Sequence, residues 1–429
     1  MIPDFQSKEY KRSRVAYNAQ CALEYFVQLL TADAFFAKLL RDIGFSESAT
    51  GVISSFAALA FLFEFFTLFL AAKRVNPKKT VILMDTVSIV CFGLLFLVPF
   101  LQVQQTLRFV ITVFLTFVGY FFKYGEISLY FKWANSFVAP ENRARFSAMK
   151  EMISLIAGIL FSLAIGFIMD AFEEAGNLHG AFLFIAISVF VLAVASFVSL
   201  YLIAPSQESG TEEKKSVPFS EVAKNTLGNK SFVYVTVATS VWRMAQYIVI
   251  GFYGTYKTEN LLLTAGAVQV INMVANLGRF GASRPFGAYS DKHTYAQGFR
   301  LGMWLAAAGF LAAAFATKNL WWLIIVSTIL INTAYAGTEQ NCNNMMYSYV
   351  KSDYIVQAMA IKNGISGLLS FLMSVLGARI LSAVQASGNT LFGIPMAGQQ
   401  FLSVVAFVMI VGNIFFTKLV VEKQKVMLQ

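Results

Sequence analysis

The sequence predicts an all-α membrane protein of about twelve transmembrane helices, arranged as two pseudo-symmetric bundles of about six each. Three observations lead there: a strongly apolar composition, a succession of membrane-length apolar windows, and a regular alternation of Lys and Arg between the loops. The 429 residues are 57% hydrophobic with a mean hydropathy of +0.64. Only 13% are charged, against about 25% in a soluble domain.

Apolar windows long enough to cross a hydrocarbon core fall near 16–40, 48–72, 79–101, 107–133, 147–170 and 179–203, and again near 231–256, 262–287, 297–316, 320–345, 357–382 and 394–420. The polar, basic segment ahead of the first window lacks the form of a cleavable leader, so that window is expected as a retained span. Every second loop is basic. Lys8, Lys11, Arg12 and Arg14 precede span 1; Lys73, Arg74, Lys78 and Lys79 follow span 2; Arg143, Arg145 and Lys150 follow span 4. The pattern continues with Lys214, Lys215, Lys224 and Lys230 before span 7, Lys292 and Arg300 after span 8, Lys351 after span 10, and Lys418, Lys423 and Lys425 at the end. Because Lys and Arg are retained on the cytoplasmic side, both termini are expected inside. The net charge of +10 is thereby a topology signal, and no nucleic-acid partner is expected.

Residues 204–230 form the one long polar stretch, rich in Ser, Glu and Lys, and are expected as a cytoplasmic linker between bundles at 1–203 and 231–429. The halves also match internally. The segment from Phe35 lies over that from Phe252 without a gap, and AMKEMIS ending at Ser154 lies over AIKNGIS ending at Ser366. Duplicated transporter folds produce such matches.

A chemically loaded turn is expected after span 8, where the apolar segment meets Pro285 and Gly287, passes Asp291 and Lys292, and resumes after Gly298 and Arg300. This stretch resembles the G-x-x-x-D-[RK]-x-G-[RK]-[RK] turn of the major facilitator superfamily, with extra residues after Lys292. The loop Pro140-Glu141-Asn142-Arg143-Ala144-Arg145 resembles the P-E-x-R-x-R turn of the same carriers. The equivalent first-half turn keeps its basic residues but has Arg74 where the internal alignment sets Asp291. The resemblance implies the major facilitator fold, a central cavity lined by the first and fourth helix of each half, and transport by alternating access. A gate is expected at Gly287, Asp291 and Lys292, with Asp291 answering Arg143 and Arg145.

Ionisable groups within a span cost about 2.5–3.5 kcal/mol each on insertion scales, so they normally face the bundle interior and find partners. On the cavity-lining helices that the resemblance implies, these are Glu24, Lys123, Glu126, Arg243 and Glu339. Glu24 and Gln28 share one helix face, as do Arg243 and Gln246. Glu24 and Arg243, on symmetry-related spans, are expected to meet or to hold one solute from opposite sides. Lys123 and Glu126 are spaced for an intrahelical ion pair. Asn332, Tyr335, Glu339 and Asn343 form a stripe on span 10. Gln269, Asn272, Asn276 and Arg279 form another on span 8, either lining the cavity or joining helix to helix. Gly158, Ser162 and Gly166 favour close packing.

His179 and His293 lie too far apart for a metal site, no phosphate-binding loop is present, and Cys21, Cys91 and Cys342 read as buried thiols. Neither a cofactor, a metal nor an enzymatic constellation is expected. The expected function is secondary transport of a small polar or amphiphilic solute, driven by a coupling ion, the proton, through a monomer in the lipid bilayer of the cell membrane. Drug efflux by proton antiport and a non-transporting sensor on a carrier fold are the alternatives. The proline-containing run of drug exporters in span 5 is missing, and so is the end signature of sugar porters after span 6.

Overall fold

The computed structural model describes residues 5, 7–63, 76–134, 136–139, 142–205, 226–350, 355–391 and 393–424. Arg74 and most of the linker lie outside them. The described chain is almost entirely helical, apart from a two-stranded antiparallel hairpin pairing Thr390 with Pro395 and Leu391 with Ile394. The chain divides into two compact units, Met1–Phe45 with Phe63–Ser216, and Ser46–Leu62 with Val217–Gln429.

The first unit holds helices Lys8–Leu30, Asp33–Ile43, Pro77–Leu95, Gln105–Gly125, Ile127–Ala134, Arg143–Glu174 and Leu178–Leu202. Their starts are written in the sequence: Ser7 and Asn76 cap with their side chains, and Pro77 occupies a first-turn position where no amide hydrogen bond is lost. Gln105–Gly125 shows how a membrane helix is turned inside out. Leu107, Val110, Phe114, Phe117 and Phe121 form one exposed apolar stripe, while Thr112, Thr116, Tyr120 and Lys123 are buried on the opposite face.

In the second unit, helices Lys230–Tyr247, Ile250–Thr255, Ala265–Lys292, Tyr295–Ala314, Trp322–Tyr349, Ile355–Ala386 and Gly398–Phe416 pack with Glu47–Ser54. Placing Glu47–Ser54 here departs from the sequence boundary, which assigned everything up to residue 203 to one bundle. Small residues explain it. A Cβ on Gly251 would lie against the Gly51 carbonyl and 2.7 Å from the Ser55 hydroxyl. Ser55 also meets Ser374 hydroxyl to hydroxyl at 2.7 Å. Glu47 accepts from Gln385 and Gln399 at 3.0 and 2.8 Å.

Among the described residues, six helices are long and apolar enough to cross a membrane by length and composition alone, where the windows suggested about twelve spans. Window 48–72 runs into residues outside the described ones. Span 1 breaks at Thr31 and Ala32 before Asp33, which has φ +47. Span 4, itself one of the six, is interrupted by one residue, Glu126, between the helices ending at Gly125 and starting at Ile127. Around Pro285 the expected turn does not form. The helix runs from Ala265 to Lys292 with Pro285 inside it, and the next begins at Tyr295. One missing backbone bond does not end a helix whose neighbours and side chains can satisfy the freed group.

The internal match is visible in the element boundaries. With Phe35 set on Phe252, the break at Thr31 and Ala32 falls on Ile248 and Val249, where span 7 also breaks. With Ser154 set on Ser366, Glu174 falls on Ala386, so that Arg143–Glu174 and Ile355–Ala386 end at aligned positions.

Close packing at Gly251 predicts that Gly251→Val lowers the thermal midpoint of the detergent-solubilised protein by an amount equivalent to about 1–3 kcal/mol of overpacking. Gly281→Ala, whose added Cβ would meet nothing within 4 Å, serves as the control and is expected to leave the midpoint unchanged or raise it. Equal midpoints for the two variants would contradict the packing.

Candidate functional site

The first unit buries an ionic cluster at the break in span 4. Lys123, in the last turn of Gln105–Gly125, forms ion pairs with Glu24 from Lys8–Leu30 and, at 3.3 Å, with Glu126. The intrahelical pair read from the spacing is therefore present. It is one arm of something larger, because Asp85, from the middle of Pro77–Leu95, completes the group. One carboxylate oxygen from each of Glu24, Asp85 and Glu126 lies within 4.8 Å of the others. Asp85 is 0% exposed, Glu126 2% and Lys123 5%.

Hydrogen bonds hold this cluster in place. Gln20 donates from one amide nitrogen to Glu24 Oε2 and Asp85 Oδ1, both at 3.2 Å, and its own oxygen accepts from the Tyr130 hydroxyl. Ser196 donates to Asp85 Oδ2 at 2.6 Å, and Gln28 to Glu24 Oε1 at 3.2 Å. Glu126 Oε2 is buried with no hydrogen-bond partner among the described residues. Three acids face a single ammonium group, so the cluster is two negative charges over balance if all are ionised. A divalent metal would have to displace Lys123, whose nitrogen already occupies the position between Glu24 and Glu126. The arrangement suits protons better.

In the second unit the signs are reversed. Arg243 pairs with Glu339 at 3.4 Å, and the Trp242 indole donates to the same carboxylate at 3.3 Å. The Arg243 guanidinium also lies 4.4 Å from the centre of the Phe61 ring. Arg279 and Lys362 both act electrostatically on Glu339. Arg279 stands 5.8 Å from the centre of the Tyr335 ring, while Lys362 donates to the Asn343 side chain at 2.9 Å and the Cys342 carbonyl at 3.2 Å.

Glu24 and Arg243, expected to meet, are each engaged within their own unit: Lys123 answers the acid and Glu339 the base. The span 8 stripe is turned inward as expected. Gln269 is buried and Asn272, Asn276 and Arg279 are half-buried, while Val270, Val274, Leu277 and Phe280 are exposed. Gln246 is buried with an amide nitrogen lacking a partner among the described residues, and Asn332 bonds back to the Thr328 carbonyl at 2.9 Å. At the expected gate, Asp291 and Lys292 are exposed in the last turn of their helix, and a Cβ on Gly287 would meet nothing within 4 Å. The side chains of Arg143 and Arg145 lie outside the described ones. Arg300 is committed elsewhere, to Glu422 at 2.5 Å.

Asp85 and Lys362 are missing from the sequence-based set. Each is a charge inside a membrane-length apolar segment, which is the signal that singled out the others.

The sequence profile described as Major Facilitator Superfamily matches residues 23–374. The chain belongs to the major facilitator superfamily. Full-length likeness to solved members agrees with this. The nucleoside transporter NupG superposes with a TM-score of 0.71 at 11% identity, over 96% of this chain and 99% of that one. A D-xylose-proton symporter gives 0.72 at 14%, over 96% and 97%. A POT family transporter in complex with 5-aminolevulinic acid gives 0.64 at 14%, over 95% and 96%. At such identities these show the fold alone. No curated protein sequence matches the chain. The chain is thus a secondary transporter of the superfamily with an all-helical, multi-pass membrane fold, and not an enzyme.

The cluster predicts a coupling that a double-mutant cycle measures. Lys123→Ala strands three buried carboxyl groups and is expected to destabilise the protein by about 3–5 kcal/mol, the usual result of removing one partner of a buried ion pair. Adding Glu126→Gln should recover part of that loss. Strict additivity of the two substitutions in thermal unfolding would show that the groups do not act together.

Proposed function

We propose that this member of the superfamily is a proton-coupled carrier of a small polar or amphiphilic solute, with Glu24, Asp85 and Glu126 as its coupling group. The observation that carries the reading is the surplus of acid around Lys123: three carboxyl groups within 4.8 Å, with a buried oxygen of Glu126 unpartnered. Like charges so close in a dry site do not all ionise together. Protons complete the set, and exchanging them between compartments is what coupling requires. Glu24 is the exchangeable member, since its side chain is 18% exposed against 2% for Glu126. That the solved neighbours include a D-xylose-proton symporter supports the proton as driver. The nucleoside and 5-aminolevulinic acid carriers support a small polar solute.

Glu126→Gln keeps the size and hydrogen-bonding capacity of the side chain and removes its titration. In proteoliposomes it is expected to abolish accumulation driven by an imposed pH gradient while leaving solute exchange intact. Accumulation at the parent level in both Glu24→Gln and Glu126→Gln would remove the cluster from the coupling path.

The same reading sets both termini and the 204–230 linker in the cytoplasm, because their flanking loops carry the Lys and Arg that are retained there, and takes the working unit as a monomer. Accessibility tags inserted within 206–215 and at Gln429 are expected on the cytoplasmic side, and one within 173–177 outside. A linker tag on the same side as the 173–177 tag would overturn this topology.

A further inference from the structure

Among the described residues of the second unit, three cations, Arg243, Arg279 and Lys362, act on one carboxylate, that of Glu339. Arg243 takes that carboxylate at 3.4 Å, and Trp242 donates to it as well. Lys362 is buried and directs its ammonium to neutral oxygens, those of Asn343 and the Cys342 carbonyl. Arg279 has no carboxylate within ion-pair distance among the described residues. What it has is the ring of Tyr335, 5.8 Å from the guanidinium carbon to the ring centre, a contact that uses none of its N–H donors in an ion pair.

The position of Arg279 makes this expensive. It follows fourteen residues and precedes thirteen in the helix Ala265–Lys292, so about 20 Å of helix lies on either side. Half of a hydrocarbon core is about 15 Å. An ionisable group so far from both ends of a helix normally faces a bundle interior and marks a ligand or ion pathway. Its surroundings suit a ligand: Asn276 precedes it by three residues on the same face, and Tyr335, Glu339 and Asn343 are all solvent-accessible.

We propose that this cluster binds the acidic group of the transported solute, so that the cargo class is small organic anions bearing a carboxylate or phosphate. Arg279 receives the anion through its fork of N–H donors, a geometry that matches two oxygens on one centre. Arg243 and Lys362 supply the remaining positive field, and Glu339 holds Arg243 in place while the site is empty. This deepens the carrier reading and rests on it for the word cargo, but the binding site itself does not depend on coupling.

Binding to the purified full-length protein in detergent, without any gradient, tests it. Thermal stability and tryptophan fluorescence are followed with pairs of solutes differing in the acidic group: gluconate with glucose, glycerol 3-phosphate with glycerol, lactate with propane-1,2-diol, and inorganic phosphate and sulfate against chloride at equal ionic strength. At least one acid is expected to bind saturably while its neutral partner does not, and which acids bind separates carboxylate from phosphate recognition. Arg279→Gln should weaken that binding roughly ten-fold or more, and Arg279→Lys, which keeps the charge but loses the fork, by a smaller factor. Lys318→Gln, which removes an exposed cation outside both clusters, should leave it unchanged. Failure of every acid to bind, equal binding of the neutral partners, or parent affinity in both Arg279 variants would overturn the proposal. Anion binding that persists while a pH gradient fails to drive accumulation would count against the proton-coupled reading alone.

Discussion

A charge placed in hydrocarbon has to be answered from inside the protein, and the folding of this chain around its polar groups follows from that. Lys123 is the clearest case. An ammonium group 5% exposed in a membrane helix persists because Glu24 and Glu126 neutralise it, and those acids persist because Lys123 is there. Gln20, Tyr130 and Ser196 then fix the remaining oxygens. Removing Lys123 leaves its acids without a counter-charge, whereas removing one acid brings the group nearer balance, so the charges act together. The break in span 4 at Glu126 belongs to the same arrangement. Glu126 stands between the helices ending at Gly125 and starting at Ile127 and keeps helical backbone, so the i,i+3 spacing still sets it beside Lys123.

The two units share a backbone plan and differ in charge. The breaks in spans 1 and 7 fall at aligned positions, and so do the last residues of Arg143–Glu174 and Ile355–Ala386. On that common frame Lys150 aligns with Lys362, and Glu126 lies within one residue of the position aligned with Glu339. Yet the first unit collects three acids about one lysine, and the second three cations about one acid. Symmetry of the fold therefore carries over to where charged groups stand but not to their sign. On the proposed reading, the acid-rich interior takes protons and the base-rich interior an anion, so that one duplicated architecture would provide two kinds of site.

Much of this is legible in the sequence, and the limits have a physical cause. Composition and the Lys and Arg alternation give the class, because the bilayer constrains every residue that crosses it. Periodicity gives helix faces: the inward turn of Gln269, Asn272, Asn276 and Arg279 follows from spacing alone. Partners across helices are another matter. Symmetry points Glu24 to Arg243, whereas the structure gives it Lys123 as a partner, and nothing in a one-dimensional pattern names such a partner. Asp85 was readable in principle, as a lone acid in the run Val81-Ile82-Leu83-Met84-Asp85. Residues 46–62 show the complementary difficulty. They read as part of the first bundle by order along the chain, but Gly51 and Ser55 are small where Gly251 and Ser374 come close, and such fit is a property of two surfaces rather than of one segment.

Charge accounting also bears on energetics. Moving one elementary charge through a membrane potential costs or releases about 2.3 kcal/mol per 100 mV, and in a cell with a negative interior that potential opposes entry of an anion. A carrier that takes one proton with each monovalent anion moves no net charge, so the potential neither helps nor hinders it, and the pH difference alone sets the accumulation. A second proton would make the cycle electrogenic and recruit the potential as well. If the acids about Lys123 carry the coupling proton and the cations about Glu339 take an anion, as proposed above, the three acids among the described residues leave room for either stoichiometry.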